Sequence, residues 1–418
     1  MMMTQAFYTG ISGLKNFSTG IDVVSNNLAN IDTVGYRSYN VEFASIFEKS
    51  IATSFSGSET VGNGVKVQAS GMDQSQGSFI LSDRGTDIAI EGDGWFGLKS
   101  NGKTIYTRDG AFSIDANADL VNGDGFYVLG TMGGNISADN VLTQKLAEVQ
   151  LGDVEKQQEL RFPKTLTYPP EPTTQAKFLA NLGVGFEPIT VSASVVDPQG
   201  KRNNLRLEFI KDPIQTPPGA QYNVTATVKS LDGLNLYDTK TGRVEFDAAG
   251  ALTSSTLTSI NNNGTDVAID LGSGYDGIVS IDIPVVSGSS VVDGTIGGDL
   301  QGYSINKNAE VIATFTNGEQ SSVGKIAIFH FVNDQGLNRL SGSRFEESAN
   351  SGKPLFFTDE TGQNIIGSQV RNFTLESSNA EMSSGLTELI ILQRAYDANA
   401  KSITTADQMM QKALNMDA

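Results

Sequence analysis

The sequence predicts a mostly β protein with α-helical termini, in which nested discontinuous β domains are combined with a coiled-coil-like helical core from the N- and C-terminal ends. Three observations predict this fold class. Apolar residues recur at heptad spacing at both ends, and they alternate with polar residues over short segments between them. Glycine, a turn former, accounts for 45 of 418 residues. All 11 prolines lie between Pro163 and Pro354, which leaves both ends free to form helices.

The first helix is predicted from an apolar seam near the N-terminus. One row of residues seven apart is apolar, and a companion row lies three residues after its members. These rows are Phe7, Leu14, Ile21 and Leu28, and Phe17, Val24 and Ile31. We expect the helix to end within SNNLANIDTVGYR (25–37), where turn-forming residues cluster and Gly35 can adopt the positive φ that terminates helices.

The second helix is predicted from a similar seam near the C-terminus. Its rows are Leu375, Met382, Leu389, Tyr396, Ile403 and Met410, with Leu392, Ala406 and Ala413 as companions. Gly385 lies inside this pattern and costs the helix roughly 1 kcal/mol relative to alanine. We therefore expect the second helix to begin or bend at Gly385.

Both seams are narrow, and the opposite helix faces are polar. Burial of a large apolar side chain contributes roughly 1.5–3 kcal/mol, whereas ordering each backbone residue costs about 1–2 kcal/mol. Each helix alone is therefore marginal, and it becomes stable only against other helices, from the same chain or from other copies. We expect self-association in preference to packing of each helix on a private core.

Between the helices, short alternating segments separated by Gly, Asn and Asp predict strands. The proline-rich segment FPKTLTYPPEPT (162–173) is typical of a domain junction, and SIATSFSGSETVGNG (50–64) is typical of a linker that is mobile or ordered by a partner. The predicted divisions are a terminal helical inner-core domain (1–32 plus 372–418), a linker region (33–70 plus 360–371), a discontinuous β domain (71–145 plus 297–359) and an inserted outer β domain (146–296).

Composition argues against several classes of function. The formal charge of −18 disfavours nucleic-acid and anionic membrane partners, and the absence of cysteine removes disulfides and thiolate sites. The only histidine, His330, lies in the apolar run IAIFHFV, where a structural role is expected. The N-terminus has no secretory signal pattern, so we expect a cytosolic protein or one exported without a cleaved signal. No catalytic, cofactor or metal site is predicted.

The segment GLKSNGKT (97–104) matches the Walker A pattern of nucleotide-binding loops. A phosphate-binding loop requires a following helix, whose N-terminal amides hold the phosphates. Here the next residues, IYTRDGAF, alternate as a strand does. We therefore predict that SNG (100–102) is a hairpin turn and that the protein is not an NTPase.

Four segments together resemble the bacterial flagellar rod and hook protein family. They are SGLKNFSTGIDVVSNNLANIDTVGYRSYNVEF (12–43), QGSFILSDRGTDIAIEGDGWF (76–96), YTRDGAFSIDANADLVNGDGFYVLG (106–130) and LESSNAEMSSGLTELIILQRAYDANAKSITTADQMMQKAL (375–414). They occur in the family's order. The long insertion between Gly130 and Leu375 matches the longer hook members. A shorter distal rod protein is the alternative within the family, and an extracellular tube or adhesin subunit is the alternative outside it.

The resemblance implies a curved tubular polymer that acts as a universal joint, transmits torque from rod to filament and encloses the export channel. The implied partners are other copies, the distal rod, the hook cap, the hook–filament junction protein and the flagellar type III export apparatus. The implied location is the flagellum, outside the cell. Seams and resemblance together predict these polymerisation residues: Phe7, Leu14, Phe17, Ile21, Val24, Ser25, Asn26, Asn27, Leu28, Asn30, Ile31, Leu389, Leu392, Gln393, Arg394, Tyr396, Asn399, Ile403 and Met410.

Overall fold

A computed structural model describes residues 2–46, 49–51, 59–61, 64–216, 218–283 and 288–416. Two long helices occupy the ends of this chain, α1 (Met2–Ala29) and α2 (Met382–Met416). Strands and two short 3-10 turns (Val154–Lys156 and Asp334–Gly336) fill the part between them. The predicted fold class, mostly β with helical termini, is confirmed.

The strands are short and follow one another closely. The first group is β1 (Tyr39–Ser45), β2 (Lys49–Ile51), β3 (Glu59–Val61), β4 (Val65–Met72), β5 (Phe79–Leu81), β6 (Ile88–Glu91), β7 (Trp95–Ser100), β8 (Lys103–Thr107), β9 (Phe112–Ile114), β10 (Leu120–Asn122), β11 (Tyr127–Met132), β12 (Gln158–Glu159) and β13 (Thr167–Tyr168). The second group is β14 (Gln175–Asn181), β15 (Ile189–Val196), β16 (Arg202–Lys211), β17 (Gln221–Ser230), β18 (Leu236–Phe246), β19 (Leu252–Ser255), β20 (Ser259–Asn262), β21 (Thr265–Asp270), β22 (Gly272–Ser273), β23 (Asp276–Val279) and β24 (Ser289–Val292). The third group is β25 (Gly298–Ile305), β26 (Glu310–Phe315), β27 (Gln320–Ile326), β28 (Ile328–Phe329), β29 (Asn338–Arg339), β30 (Arg344–Glu346), β31 (Phe357–Thr358), β32 (Asn364–Ile365), β33 (Gln369–Asn372) and β34 (Thr374–Glu376).

The first β body is a 13-stranded sheet that combines the first and third groups of strands. Its main path is β13-β25-β26-β27-β11-β7-β8-β30-β29, with β9, β10, β12 and β28 attached. Strands far apart in sequence are adjacent here, since Gly130 of β11 pairs with Ile326 of β27. Residues from both flanks are fully buried in one core, including Phe96, Phe112, Val311 and Ile328. The sheet therefore joins chain segments on either side of the second strand group.

The second β body consists of two sheets that share one core. The antiparallel sheet β15-β16-β17-β18-β19 packs against the sheet β20-β21-β14-β23-β22, which also carries β24. In β16, Leu205, Leu207 and Phe209 are completely buried while the residues between them face outward. This period of two is the one that the sequence predicted for half-buried strands.

The end of α1 agrees with the prediction, but Gly35 does not terminate the helix. The helix ends at Ala29, within the predicted segment, and Gly35 lies six residues later with a φ of 65°. A Cβ on Gly35 would lie 2.4 Å from the backbone nitrogen of Asp109, and the Gly35 N–H donates to the Glu376 carbonyl at 2.8 Å. Glycine is therefore needed here because three chain segments approach closely.

The start of α2 requires a correction. Leu375, the first member of the predicted C-terminal seam, lies in β34 and pairs with Ile80 of β5, because tertiary strand pairing overrides the apolar periodicity. The helix begins at Met382 and continues through Gly385 without interruption. Gly385 therefore lies in the first turn of the helix, where glycine is tolerated more easily than in the interior.

The Walker-like segment forms the predicted hairpin. Strands β7 and β8 pair up to Ser100 and Lys103, and the two turn residues Asn101 and Gly102 have φ values of 50° and 80°. Positive φ at both central positions is typical of a two-residue type I′ turn. The Lys103 Nζ lies 3.5 Å from the Glu346 Oε1 of β30.

Part of the predicted linker 50–64 lies outside the described residues, namely 52–58 and 62–63. Within it, β2 and β3 pair in antiparallel fashion. Among the described residues, no helix has the length and apolarity needed to cross a membrane. The same part of the chain contains no cluster of three or more acidic or histidine side chains suited to holding a metal ion.

Candidate functional site

The two terminal helices lie side by side and run in opposite directions. Gly10 of α1 lies against Ile403 of α2, while Gly20 lies against Leu392. Residue numbers therefore rise along one helix as they fall along the other. Each terminal helix therefore packs against the helix at the other end of the same chain. The sequence had allowed two kinds of partner, a helix of the same chain or a helix of another copy.

Glycine lets the two helices approach closely. A Cβ on Gly10 would lie 2.6 Å from the Ile403 Cγ1, and one on Gly13 would lie 2.5 Å from the Asn399 Oδ1. Both distances are shorter than van der Waals contact, so these positions accept no side chain without displacement of the partner. The contact row of α1 is therefore Gly10, Gly13 and Gly20, three and seven residues apart.

The three glycines are buried, whereas the apolar row Phe7, Leu14, Ile21 and Leu28 is half-buried, and Leu28 contacts Gly385. Sequence reasoning missed the glycine row because it searched for large side chains. The spacing of the three glycines was the signal that could have found it.

The predicted polymerisation residues fall into three classes of burial. Buried are Val24 and Leu392; half-buried are Phe7, Leu14, Phe17, Ile21, Asn27, Leu28, Asn30, Ile31, Leu389, Asn399, Ile403 and Met410; exposed are Ser25, Asn26, Gln393, Arg394 and Tyr396. The structure thus brings together one part of the predicted set at the α1–α2 contact and leaves another part on the outside of the pair.

A second flank of α1 is covered by the β1–β4 hairpin. The Asn16 Nδ2 donates to the Val65 carbonyl at 2.7 Å, and its Oδ1 accepts from the Val67 N–H at 2.9 Å. The Phe17 and Phe43 rings pack with centroids 5.4 Å apart. These contacts explain why part of the predicted apolar row is half-buried by strands instead of by a helix.

Asn27 holds the segment that follows α1 against the end of the helix. Its Nδ2 donates to the Tyr39 carbonyl at 2.8 Å, and its Oδ1 accepts from the Tyr39 N–H at 3.1 Å and the Tyr36 hydroxyl at 3.2 Å. One amide thus makes three hydrogen bonds to the segment that follows the helix. This predicted polymerisation residue has a clear role within the single chain.

Nine large apolar side chains on the two helices are exposed, among polar residues. Ile391 is 60% exposed and Tyr8 is 70% exposed. The other large apolar residues exposed on the two helices are Ile11, Met382, Leu386, Ile390, Tyr396, Met409 and Leu414. Large apolar side chains left in water are available for contact with a partner. We call these nine residues the outer helix face.

A buried ion cluster lies where the helices join the first β body. Glu376 of β34 is fully buried, and its Oε1 lies 2.9 Å from the Arg37 Nη2 while its Oε2 lies 3.4 Å from the Arg108 Nη1. The Gly77 N–H also donates to the Glu376 Oε1, at 3.0 Å. We call Arg37, Arg108 and Glu376 the junction cluster.

The surroundings of Arg108 disfavour its positive charge. The pKa of Arg108 is lowered to about 10, mainly by burial and also by the nearby charge of Arg37, while Glu376 opposes both effects. Its Nη2 donates to the Gly92 carbonyl at 2.7 Å, and its guanidinium lies 5.5 Å from the Trp95 ring. A buried carboxylate between two arginines is strongly destabilised when one partner is removed.

His330 has surroundings that fit the structural role predicted for it. It is buried, its Nε2 lies 2.7 Å from the Ile366 carbonyl oxygen, and its ring lies 4.5 Å from the Phe357 ring. Burial lowers its pKa. No serine, lysine or carboxylate among the described residues hydrogen-bonds to its ring.

Comparisons with known families match three separate segments of the chain. Residues 7–37 match "Flagella basal body rod protein", residues 89–155 match "Flagellar hook protein FlgE/F/G D1 domain", and residues 372–416 match "Flagellar basal body rod FlgEFG protein C-terminal". All three models describe flagellar rod and hook proteins, the family that this chain resembles. The family is a structural one, and this chain functions as a self-polymerising subunit of the flagellar hook.

Full-length relatives agree with this assignment. The chain is 28% identical to "Flagellar hook protein FlgE" of Borreliella burgdorferi, over 99% of this chain and 100% of the relative. It is 28% identical to the Escherichia coli protein of that name, over 98% and 100%. The crystal structure of Helicobacter pylori flagellar hook protein FlgE2 superposes with a TM-score of 0.52 at 15% identity, covering 71% of this chain and all of that one, which supports the fold.

The junction cluster takes one residue from each matched segment. Arg37 belongs to the N-terminal rod match, Arg108 to the hook-domain match and Glu376 to the C-terminal match. The three parts by which the rod and hook family is recognised are therefore held together at one buried carboxylate.

Proposed function

We propose that this hook subunit polymerises into a curved tubular universal joint that transmits torque from rod to filament and encloses the export channel. The observation that carries this proposal is the outer helix face. The helix pair satisfies its inner seam within one chain, yet residues such as Ile390 and Ile391 stay in water until other copies cover them. Hydrophobic burial then provides the free energy of assembly.

In this proposal the helix pairs of many copies form the inner wall of the tube. The predicted polymerisation residues divide between two tasks, since Leu392, Asn399 and Ile403 hold the pair together while Arg394 and Tyr396 remain available to neighbours. Twisting such a wall would separate many buried contacts at once, so the wall resists torque.

The junction cluster makes the helix pair and the first β body move together. A load on α2 reaches Glu376 through the short segment 377–381, and from there both Arg37 and Arg108. Buried ion pairs resist separation because each partner would be left as an uncompensated charge. Torque on the inner wall is thereby transferred to the outer layers.

Bending requires outer layers that slide. The second β body has its own core, and the chain carries a net charge of −18, so neighbouring outer surfaces repel one another moderately. As part of this proposal we retain the four sequence divisions (1–32 plus 372–418; 33–70 plus 360–371; 71–145 plus 297–359; 146–296). Strands β12 and β13, within 146–296, pair with the first β body and would move with it.

We further propose that the subunit leaves the cell through the flagellar type III apparatus without a cleaved signal peptide. At the two ends of the polymer it would contact the distal rod and the hook–filament junction protein, and the hook cap during growth. These partners follow from the resemblance to the rod and hook family and from the prediction of an uncleaved N-terminus.

Deletion of residues 1–30 tests the assembly proposal. The intact protein should form tubes visible by electron microscopy, and the truncated protein should stay monomeric while its second β body keeps its circular dichroism. A version without residues 382–418 is the matched control and should behave in the same way. Tubes formed by either truncated chain would overturn the proposal.

We also propose that the protein has no nucleotide-dependent activity. Lys103 lies after a hairpin turn and pairs with Glu346, whereas a phosphate-binding lysine would follow a glycine loop at a helix N-terminus. Replacement of Lys103 by Ala should leave tube formation unchanged. Nucleotide binding by the intact protein that is lost in Lys103→Ala would contradict this.

A further inference from the structure

A cleft of about 380 Å³ opens on the first β body, and its lining includes no residue of the two helices or the junction cluster. Its apolar lining includes Tyr106, Leu129 and Phe329, all buried residues of the β core. Its charged lining is Lys103, Glu155, Glu346 and Glu347. The cleft therefore combines an aromatic floor with an acidic rim.

The charges at the rim do not balance. Lys103 pairs with Glu346, at 3.5 Å between Nζ and Oε1. Glu155 and Glu347 form no ion pair or side-chain hydrogen bond with any described residue, so the cleft carries two uncompensated carboxylates. Acidic residues on a surface are usually satisfied by water, and alone they would indicate nothing.

The second observation is the hydroxyl of Tyr106. The side chain is 2% exposed, lines the cleft and packs edge-on against Phe329 and Phe331. Its hydroxyl makes no hydrogen bond within the described part of the chain, and it is not one of the fully buried polar atoms, so it is open to the cleft. Burial raises its pKa, and the charge of Glu347 raises it further, so the group stays protonated and lies within the field of that carboxylate.

We propose that this cleft binds the ammonium group of a lysine side chain from a second copy of the chain. The inference rests on the proposed polymer, in which copies with a charge of −18 must approach one another closely. A lysine supplies three N–H donors, which match two carboxylates and the phenol oxygen. Its aliphatic stem suits Leu129 and Val154, and its charge suits the faces of aromatic rings.

Lysine fits this cleft better than arginine does. The free acceptors belong to three separate side chains, Tyr106, Glu155 and Glu347, whereas a guanidinium prefers two parallel bonds to one carboxylate. A lysine bound there would neutralise the two carboxylates between neighbouring copies, so it would favour one arrangement of neighbours over others.

Zero-length carbodiimide coupling tests the inference on the intact protein. This reagent joins a carboxylate to an amine only when the two are in contact. Tubes assembled from equal amounts of ¹⁴N- and ¹⁵N-labelled chains would be coupled, digested and analysed by mass spectrometry. We expect mixed-isotope peptides that join Glu155 or Glu347 to a lysine, in tubes and not in monomers.

Three variants define the outcome. Glu155→Gln with Glu347→Gln should abolish these peptides and raise the critical concentration for assembly about tenfold. Tyr106→Phe, which removes only the hydroxyl, should lower their yield. Asp139→Asn with Glu360→Gln changes the net charge equally at two exposed sites outside the cleft, and it should leave both measurements unchanged.

The Lys103–Glu346 pair serves as an internal control, because its single-isotope peptide should appear in every sample. Tubes that yield this peptide but no mixed-isotope peptide from Glu155 or Glu347 would overturn the inference, as would coupling of those residues only to lysines of the same chain. Absence of tubes would instead count against the proposed function, so the two failures are distinguishable.

Discussion

The helix pair and the second β body solve the problem of apolar burial in different ways. In the second β body, the inward residues of neighbouring strands, such as Leu207, Val224 and Phe178, are completely buried in one shared core. In the helix pair, the inner seam is closed by glycine contacts, while the outer helix face leaves Tyr8 and Ile391 in water. The core of the second β body is complete in a single chain, and in our proposal the surface of the helix pair is covered only by other copies.

This difference teaches how one chain can be both soluble and able to assemble. The second β body buries its apolar residues within one chain, and in our proposal the apolar residues exposed on the helix pair supply the driving force for the polymer. Substitutions in the two regions should therefore have separable effects on monomer stability and on tube formation. Four tests follow, in order of expected effect, and they measure tube formation and monomer stability separately.

The largest effect is expected at the outer helix face. Ile390→Glu with Ile391→Glu places two charges on exposed positions of α2, so the monomer should keep its unfolding midpoint. Tube formation should be lost, because burial of unpaired carboxylates between copies is costly. Electron microscopy and sedimentation measure the loss. The control variant Ile390→Leu with Ile391→Leu keeps both positions apolar and should still form tubes. Tubes formed by the glutamate variant would show that these two exposed residues do not drive assembly.

The next effect is expected at the junction cluster. Glu376→Ala leaves Arg37 and Arg108 buried without their carboxylate, and it should lower the free energy of unfolding by about 3–5 kcal/mol. The exposed pair Arg371–Glu91, at 2.8 Å, is the matched control. Glu91→Ala should cost far less in denaturant titrations, because solvent screens an exposed ion pair. Equal costs at the two sites would show that the cluster is not a structural junction.

A smaller effect is expected at the glycine contact. Gly10→Ala places a Cβ 2.6 Å from the Ile403 Cγ1, which cannot swing away without a change of χ1. The clash should destabilise the helix pair by about 1–3 kcal/mol, partly offset by the roughly 1 kcal/mol by which alanine favours a helix. Hydrogen exchange of α2 amides measures the change.

Two further variants sharpen the glycine prediction. Ile403→Ala should rescue Gly10→Ala, with a coupling energy of about 0.5–3 kcal/mol in a double-mutant cycle. Gly123→Ala, at a glycine with nothing within 4 Å, should change stability by less than about 0.5 kcal/mol. Additive effects of the first two substitutions would show that the helices do not meet at this point.

The smallest effect is expected from His330 in the first β body. Burial lowers its pKa in the folded chain, so between pH 7.5 and 5.5 the unfolded chain binds the proton more readily. Stability should therefore be full above about pH 6.5 and fall as the pH drops, by at most about 1.4 kcal/mol per pH unit. His330→Gln should make the denaturation midpoint less dependent on pH across this range. An unchanged slope would show that His330 contributes nothing to it.

Local patterns in the sequence were sufficient to predict which segments form helices, strands and a hairpin turn. Proline-free heptads predicted both helices, alternation predicted the strands, and a strand-like continuation after GLKSNGKT predicted a hairpin, because each depends on residues close together in the chain. Leu375 was assigned to a helix wrongly, since its strand pairs with Ile80, a residue far away in sequence. The glycine row of α1 was missed because a glycine contact depends on what the partner helix presents.

The resemblance to the rod and hook family and the mostly β architecture with helical ends were therefore determined by the sequence itself, through periodicity and four recognisable segments. Only the tertiary structure decided which faces meet: that α1 and α2 pair in antiparallel fashion through Gly10, Gly13 and Gly20, and that Arg37, Arg108 and Glu376 converge. The physical reason is distance along the chain. Contacts between residues hundreds of positions apart depend on the shapes and charges of surfaces that exist only once both have folded.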